Sequence, residues 1–287
     1  MGFSVNALFY GNHPDLAARL LKSLLATADW AFVDDVRFAC NDCCDKTRQY
    51  IYAVASSLPV RTLVYGEKDG RNVGKYPLMR RMLYDQGDRA LRSTHVMWFD
   101  DDTYLTGDTG WWKTVWDLAQ QHTLLGSTYS IRQRGNQHVA IRKQPWYAGK
   151  PVGANHRFWF CTGGWWVAEY AVLKRWGYPW PELHHNGGDS VLGELCRQQG
   201  YSIHKFNEGV AINADEQGVE SAAKRRGMET RWIWQNYTDG QVPDLAHHDF
   251  ECVVADFPGA AAYAEPAASK PALLSSPPPL LRLPGLQ

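Results

Sequence analysis

Four apolar runs in the first hundred residues have the length and the aromatic and β-branched content of buried strands: FSVNALFY from Phe3, DDVRFAC from Asp34, VRTLVYG from Val60 and THVMWF from Thr94. Between them, PDLAARLLKSLLATA, DKTRQYIYAVASSL and KYPLMRRMLYDQGDRAL set apolar residues three and four apart. The first of these opens on Pro14, which suits a helix start. Strand and helix alternating in this way predict right-handed crossovers, and so one Rossmann-like, mainly parallel sheet flanked by helices. The second half is mixed: TLLGSTYSI, RFWFCTGGWWVAEY and YSIHKF read as strands, YAVLKRWG as a short helix, and GDSVLGELCRQQG as a longer helix closed by Gly200. Beyond 255 the sequence turns to Pro and Ala with few large side chains. That predicts one α/β domain over 1–255 and a disordered tail over 256–287.

Lys and Arg, 30 together, balance 30 Asp and Glu, so no overall field selects a partner. The balance is locally uneven. No acidic residue occurs from Leu118 to Ala168, where Arg132, Arg134, Arg142, Lys143, Lys150 and Arg157 fall. Cys40, Cys43 and Cys44 cluster in CNDCCDK, but no second CxxC or Cys/His pair completes a zinc site. Reduced thiols in a cytoplasmic protein are therefore expected. The N-terminus has neither a basic n-region nor a long apolar stretch, so no signal peptide and no membrane span is expected.

In parallel sheets of this kind ligands gather outside the carboxyl ends of the strands. Three predicted ends carry CNDCCD, GEKDGRNVG and DDDTY, so polar groups converge on one rim. Massing Asp100, Asp101 and Asp102 there is costly unless a positive group or water answers the charge. Asp100 and Asp102 alternate at a strand end and are expected on the same side, a hard-oxygen pair suited to Mn²⁺ or Mg²⁺. A solvated acidic turn is the plainer alternative. A calcium EF loop fails, because its sixth and twelfth positions hold Leu105 and Trp111. A phosphohydrolase with Asp100 as nucleophile would want Thr where Tyr104 stands.

Taken together, VMWFDDDTYL, NVGKYPLMRRML, CNDCCDKT, FCTGGWWVAEYAVLKRWGYP and NGGDSVLGELCRQQGY resemble, in order and spacing, the segments of GT-A-fold glycosyltransferases of the family-2-like and fringe-like groups. The resemblance spans about residues 3 to 215. It implies a nucleotide-sugar half over about 1–107 and an acceptor half over about 108–255. It also implies a metal-dependent hexosyltransferase, moving a sugar from a nucleotide diphosphate, UDP first, to a hydroxyl with inversion. Asp102 and Asp100 would hold the metal, which carries the donor phosphates. Asn41, Asp42, Asn72, Gly74, Asp100 and Asp101 would contact the donor. Gly163, Gly164, Trp165 and Trp166 would line the acceptor side, and Asp189 would be the general base. Asp189 in GGDS would equally serve as a helix N-cap. Fringe-like enzymes place a histidine ligand after the strand that follows the base helix. This chain has Asn213 and Asp215 there, with His247 and His248 further on, so no third ligand is assigned.

For the acceptor, the acid-free basic stretch reads either as a solvated lip or as a groove for a polyanion. Trp146, Tyr147 and Trp159 interleave with its cations in the manner of nucleic-acid grooves, and hydroxymethylated DNA would offer the hydroxyl. Glycan, protein and lipid acceptors stand beside it. A sugar-binding module without catalysis is the remaining alternative; it would need the aromatic residues and not the aspartates.

Overall fold

The computed structural model describes residues 2–67, 70, 72–132, 141–151, 157–181, 183, 187–212 and 250–255. The chain runs β1 (Phe3–Tyr10), α1 (Pro14–Thr27), β2 (Val33–Asn41), α2 (Asp45–Ala55), β3 (Arg61–Glu67), α3 (Lys75–Tyr84) and β4 (His95–Asp100). It continues through β5 (Tyr104–Leu105), α4 (Gly110–Ala119), β6 (Leu124–Arg132), β7 (Arg157–Glu169), α5 (Tyr170–Trp176), α6 (Gly188–Gln199), β8 (Ile203–Lys205), β9 (Val210–Ala211) and β10 (Phe250–Ala255). One eight-stranded sheet takes the order β10-β3-β2-β1-β4-β7-β6-β8, and β5 pairs with β9 in a small second sheet. The strands β3-β2-β1-β4 are parallel, whereas β7 runs antiparallel to both β4 and β6 and β10 lies antiparallel along β3. The sheet is thus parallel where the strand–helix alternation predicts it and mixed in the second half. The strand β10 follows from no sequence pattern. The tail over 256–287 lies outside the described residues.

Both faces of the sheet are covered, which is why β1 and β4 are buried almost throughout rather than alternating in and out of water. On one face Val5, Ala7, Phe9, Met97, Phe99 and Trp165 pack with α1, α2 and α4. On the other, Leu8, Trp98 and Trp166 pack with Met79, Met82 and Leu195 from α3 and α6. Trp98 and Trp166 are paired across the strands and stack at 6.0 Å with 12° between ring planes.

Helix α3 carries part of the candidate site at its start, and its far end is anchored through the sheet. Arg37 of β2 is fully buried. Its Nε and Nη2 donate to Asp35 Oδ2 at 3.0 and 2.8 Å, while other guanidinium protons reach the carbonyls of Met82 and Arg89. Replacing Arg37 by Ala strands the buried Asp35 charge and orphans those carbonyls. A loss of roughly 3–5 kcal/mol is expected, read as a lower urea midpoint at unchanged slope. An unchanged midpoint would show that water reaches this network.

Candidate active site

The crowding of aspartates resolves into three separate environments. The strand β4 stops at Asp100, and the Thr103 amide donating to the Asp100 carbonyl at 3.0 Å turns the chain there. Asp102 therefore lies in a turn and not two residues on along a strand. Asp101 points inward: it is 3% exposed and Oδ2 accepts the Tyr10 amide at 2.9 Å. This ties the carboxyl ends of β1 and β4 together. It corrects the expectation of Asp101 as a donor contact, since a carboxylate so enclosed offers little to a ligand. Asp100 accepts Trp98 Nε1 on Oδ1 at 2.9 Å and Lys75 Nζ on Oδ2 at 2.7 Å. Asp102 is half-buried.

Lys75 answers the charge. Its Nζ also donates to the Gly163 carbonyl at 2.8 Å, and it stands 5.7 and 5.9 Å from the ring centres of Trp98 and Tyr76. Sequence reasoning assigned this residue only to a helix start. The signal that would have found it is its misfit: a lysine in the first turn of a helix opposes the helix dipole, so something acidic must hold it.

Around the end of β2, Asn41 is 1% exposed and spends its amide inside the fold. Its Oδ1 accepts the Val73 amide at 2.9 Å and its Nδ2 donates to Asn72 Oδ1 at 3.0 Å. Asn72 Oδ1 also accepts the Gly74 amide at 2.9 Å, and Gly74 at φ 88° enters α3 in a conformation that favours glycine. Asn41 thus holds the 72–74 loop in place instead of facing a donor, which corrects the expectation for it. Asn72 and Asp42 are exposed at this rim, and Asp42 is held at φ 55°.

On the acceptor side, the glycine pair of β7 is required by close approach. A Cβ on Gly163 would sit 2.9 Å from Lys75 Nζ, 3.6 Å from Asp189 Oδ2 and 3.9 Å from Asp100 Oδ2; one on Gly164 would meet Ile212 and Thr103. Asp189 is not the N-cap. Gly187 at φ 84° caps α6, and Asp189 stands in its first turn, half-buried. Asp189 Oδ2 accepts the Gly163 amide at 3.2 Å and Oδ1 accepts the Ser190 amide at 2.8 Å, while the Asp189 amide donates to Tyr76 Oη at 3.2 Å. Burial raises the pKa of Asp189 above the ordinary aspartate value. Lys75 and the two amides pull it back, and Asp100 adds to the rise. A half-buried carboxylate oriented by two N–H groups is suited to accept a proton.

The structure therefore brings Asp100, Lys75, Gly163 and Asp189 together, with Asn72 and Asp42 at the adjacent strand end. It excludes Trp165 and Trp166 from any stacking role: they are 0% and 1% exposed and lie in the cores on opposite faces of the sheet. Trp146 is likewise buried, stacked on Trp180. Trp159 is 58% exposed, and Arg142, Lys143 and Lys150 are exposed nearby in sequence. Arg134, Asn213, Asp215, His247 and His248 lie outside the described residues, as do the side chains of Arg132 and Arg157. All six cysteines are free thiols.

Among the described residues no group of three or more His, Cys, Asp or Glu could hold a metal ion. An all-protein cage is therefore not what these residues offer. One or two carboxylates completed by substrate phosphates is the way Mg²⁺ is commonly bound. No described helix is long and apolar enough to cross a membrane.

Neither a family model nor a curated protein sequence matches the chain. Solved structures do. The mannosyltransferase PcManGT of Pyrobaculum calidifontis, in complex with GDP-Man and Mn²⁺, superposes with TM-score 0.51 at 14% identity, over 84% of this chain and 65% of that one. S. aureus TarS 1–349 matches with TM-score 0.47 at 16% identity, over 72% of this chain and 58% of the fragment. The chain thus spans less than two thirds of either relative, and at these identities the likeness is one of architecture. The chain has the GT-A fold of glycosyltransferases.

Proposed function

We propose that this chain is a glycosyltransferase that moves a sugar from a nucleoside diphosphate, UDP-linked in the first instance, to an acceptor hydroxyl with inversion. The observation that carries the proposal is the convergence on Gly163, where Lys75 Nζ, Asp189 Oδ2 and Asp100 Oδ2 lie 2.9, 3.6 and 3.9 Å from the position a Cβ would take. Asp189 takes the acceptor's hydroxyl proton. The acceptor oxygen bonds to the anomeric carbon as the bond from that carbon to the diphosphate breaks, and the electron pair leaves with the nucleoside diphosphate. Asp102, with Asp100 beside it, would hold Mn²⁺ or Mg²⁺, which supplies Lewis-acid neutralisation of the departing charge. Asn72, Gly74 and Asp42 would bound the nucleoside, with Asn41 acting through the loop it holds. The free thiols support a reducing, cytoplasmic setting. The exposed Arg142, Lys143, Lys150 and Trp159 support an anionic acceptor, for which hydroxymethylated DNA is the probe.

The test is release of nucleoside diphosphate from UDP-glucose, UDP-GlcNAc and GDP-mannose with Mn²⁺. Release that stops on chelation is expected. Phosphate release from a simple phosphomonoester with no such turnover would point to a phosphohydrolase, and sugar binding without turnover to a non-catalytic module. Filter binding at low salt checks the acceptor: no retention of DNA removes the nucleic-acid reading and leaves the transferase.

A further inference from the structure

At the end of the sheet away from the aspartate turn, a cavity of about 630 Å³ opens between the end of α4, the amino end of β4 and the start of α5. That volume is within the range of small-molecule sites. His95, which lines it, opens the strand that Asp100 closes, roughly 16 Å away along β4. The walls are fixed. His95 is buried, with Nε2 at 3.0 Å from the Ala119 carbonyl and Nδ1 at 3.0 Å from Thr94 Oγ1. The Tyr170 amide donates to the Thr94 carbonyl at 2.9 Å and the Glu169 amide to the Thr123 carbonyl at 3.0 Å, which ties the start of α5 to its neighbours. The half-buried Trp116 makes T-shaped contacts with Phe3 and His95, at 5.1 and 5.5 Å between ring centres. One group is left unserved. Ser93 lines the cavity and is 3% exposed, yet among the described residues its Oγ has no hydrogen-bond partner.

The lining is polar but balanced in charge. Burial lowers the pKa of His95 against the pull of the Ala119 carbonyl and Glu169. It lowers that of His122 too, and His204, stacked on it at 4.2 Å, adds to the fall. Both imidazoles are therefore neutral at pH 7, and the charges that remain are one of each sign, Glu169 and Lys174. Gln120 and Gln121 stand with them, and their amides both donate and accept. A phosphate or a metal ion would bring charge that this lining does not answer. A saccharide brings none: its hydroxyls donate and accept at once, and the C–H face of its ring suits an indole. We propose that this cavity is a second ligand site, which binds an uncharged saccharide through hydroxyl hydrogen bonds to Glu169, Lys174 and Gln120 and ring packing on Trp116. It is separate from the candidate active site and does not rest on the transferase reading.

Saturation-transfer NMR titrations of the full chain without nucleotide test this. Cellobiose, chitobiose and mannobiose are the neutral probes; glucuronic acid, glucose 6-phosphate and glucosamine are the charged ones. Binding of at least one neutral disaccharide, with the charged sugars weaker, is expected. Ala171→Trp, at the exposed start of α5, fills the cavity, and Glu169→Gln removes its charged acceptor. Each should weaken the bound disaccharide by about tenfold or more. Asp189→Asn, at the other end of the sheet, should leave that affinity as in the parent. Lys174→Ala, on the exposed face of α5, serves should either cavity variant fail to fold, as judged by thermal unfolding. The inference is overturned if no neutral probe binds, or if a charged sugar binds more tightly than every neutral one. It is equally overturned if binding survives both cavity variants and is lost in Asp189→Asn, which would put the sugar in the candidate active site. None of these results bears on release of nucleoside diphosphate, so the transferase reading stands or falls separately.

Discussion

Asp102→Asn is expected to lower turnover of a nucleotide sugar by about 10³-fold while leaving the unfolding midpoint within a few tenths of a kcal/mol of the parent. The two halves of that expectation come from different features of the same turn. Asp102 lies past the last residue of β4, half-buried, where an isosteric amide disturbs no packed core. An amide, however, carries no charge, and a divalent ion with few protein groups behind it depends on each carboxylate. The loss should be visible in the metal titration too: the Mn²⁺ concentration for half-maximal rate rises, and excess Mn²⁺ recovers part of the rate. A variant that turns over like the parent at all Mn²⁺ concentrations would place the ion elsewhere. The companion residue serves as an internal control. Asp101 is enclosed and hydrogen-bonded to the Tyr10 amide, so disturbing it is read in stability and not in metal response.

The contrast shows where sequence reasoning reached and where it stopped. The four parallel strands and the helices between them were legible because burial on both faces makes such strands continuous apolar runs, and crossover helices keep their own period. The exchange of strand order at β4 and β7 was not, nor was β10, which joins the sheet edge by pairing far along the chain. The strand period placed Asp100 and Asp102 on one side, but it held only to Asp100, where the chain turns. The same period correctly put Trp165 and Trp166 on opposite faces. It could not tell that both faces are covered, because that depends on α4 and α6 arriving from elsewhere. Asn41 failed as a ligand contact for a related reason. A buried amide must satisfy its own groups, and the 72–74 loop supplied the partners. Gly163, Gly164 and Asp189 were singled out by the resemblance alone; in the structure the glycine pair admits Lys75 Nζ, Thr103 and Ile212.

Asp189→Asn should remove most of kcat, by about 10²–10⁴-fold, with little change in the donor's KM, since the proton acceptor is lost and the donor pocket is untouched. Its pH behaviour separates a base from a structural carboxylate. Burial sets the pKa of Asp189 above that of an exposed aspartate, so the parent's kcat should rise with pH through that raised value and level off above it. The residual rate of the Asn variant should lack this limb. Stability runs the opposite way. With the folded pKa raised, the native state holds the proton more tightly than the unfolded chain does. The contribution is fully present below the unfolded pKa and is lost as pH rises through the folded one. The parent should therefore lose stability relative to the Asn variant over the interval in which it gains activity, as measured by urea unfolding of both proteins across that interval. Activity and stability rising together with pH would mean that Lys75 and the two amides outweigh burial, leaving Asp189 an ordinary ionised aspartate.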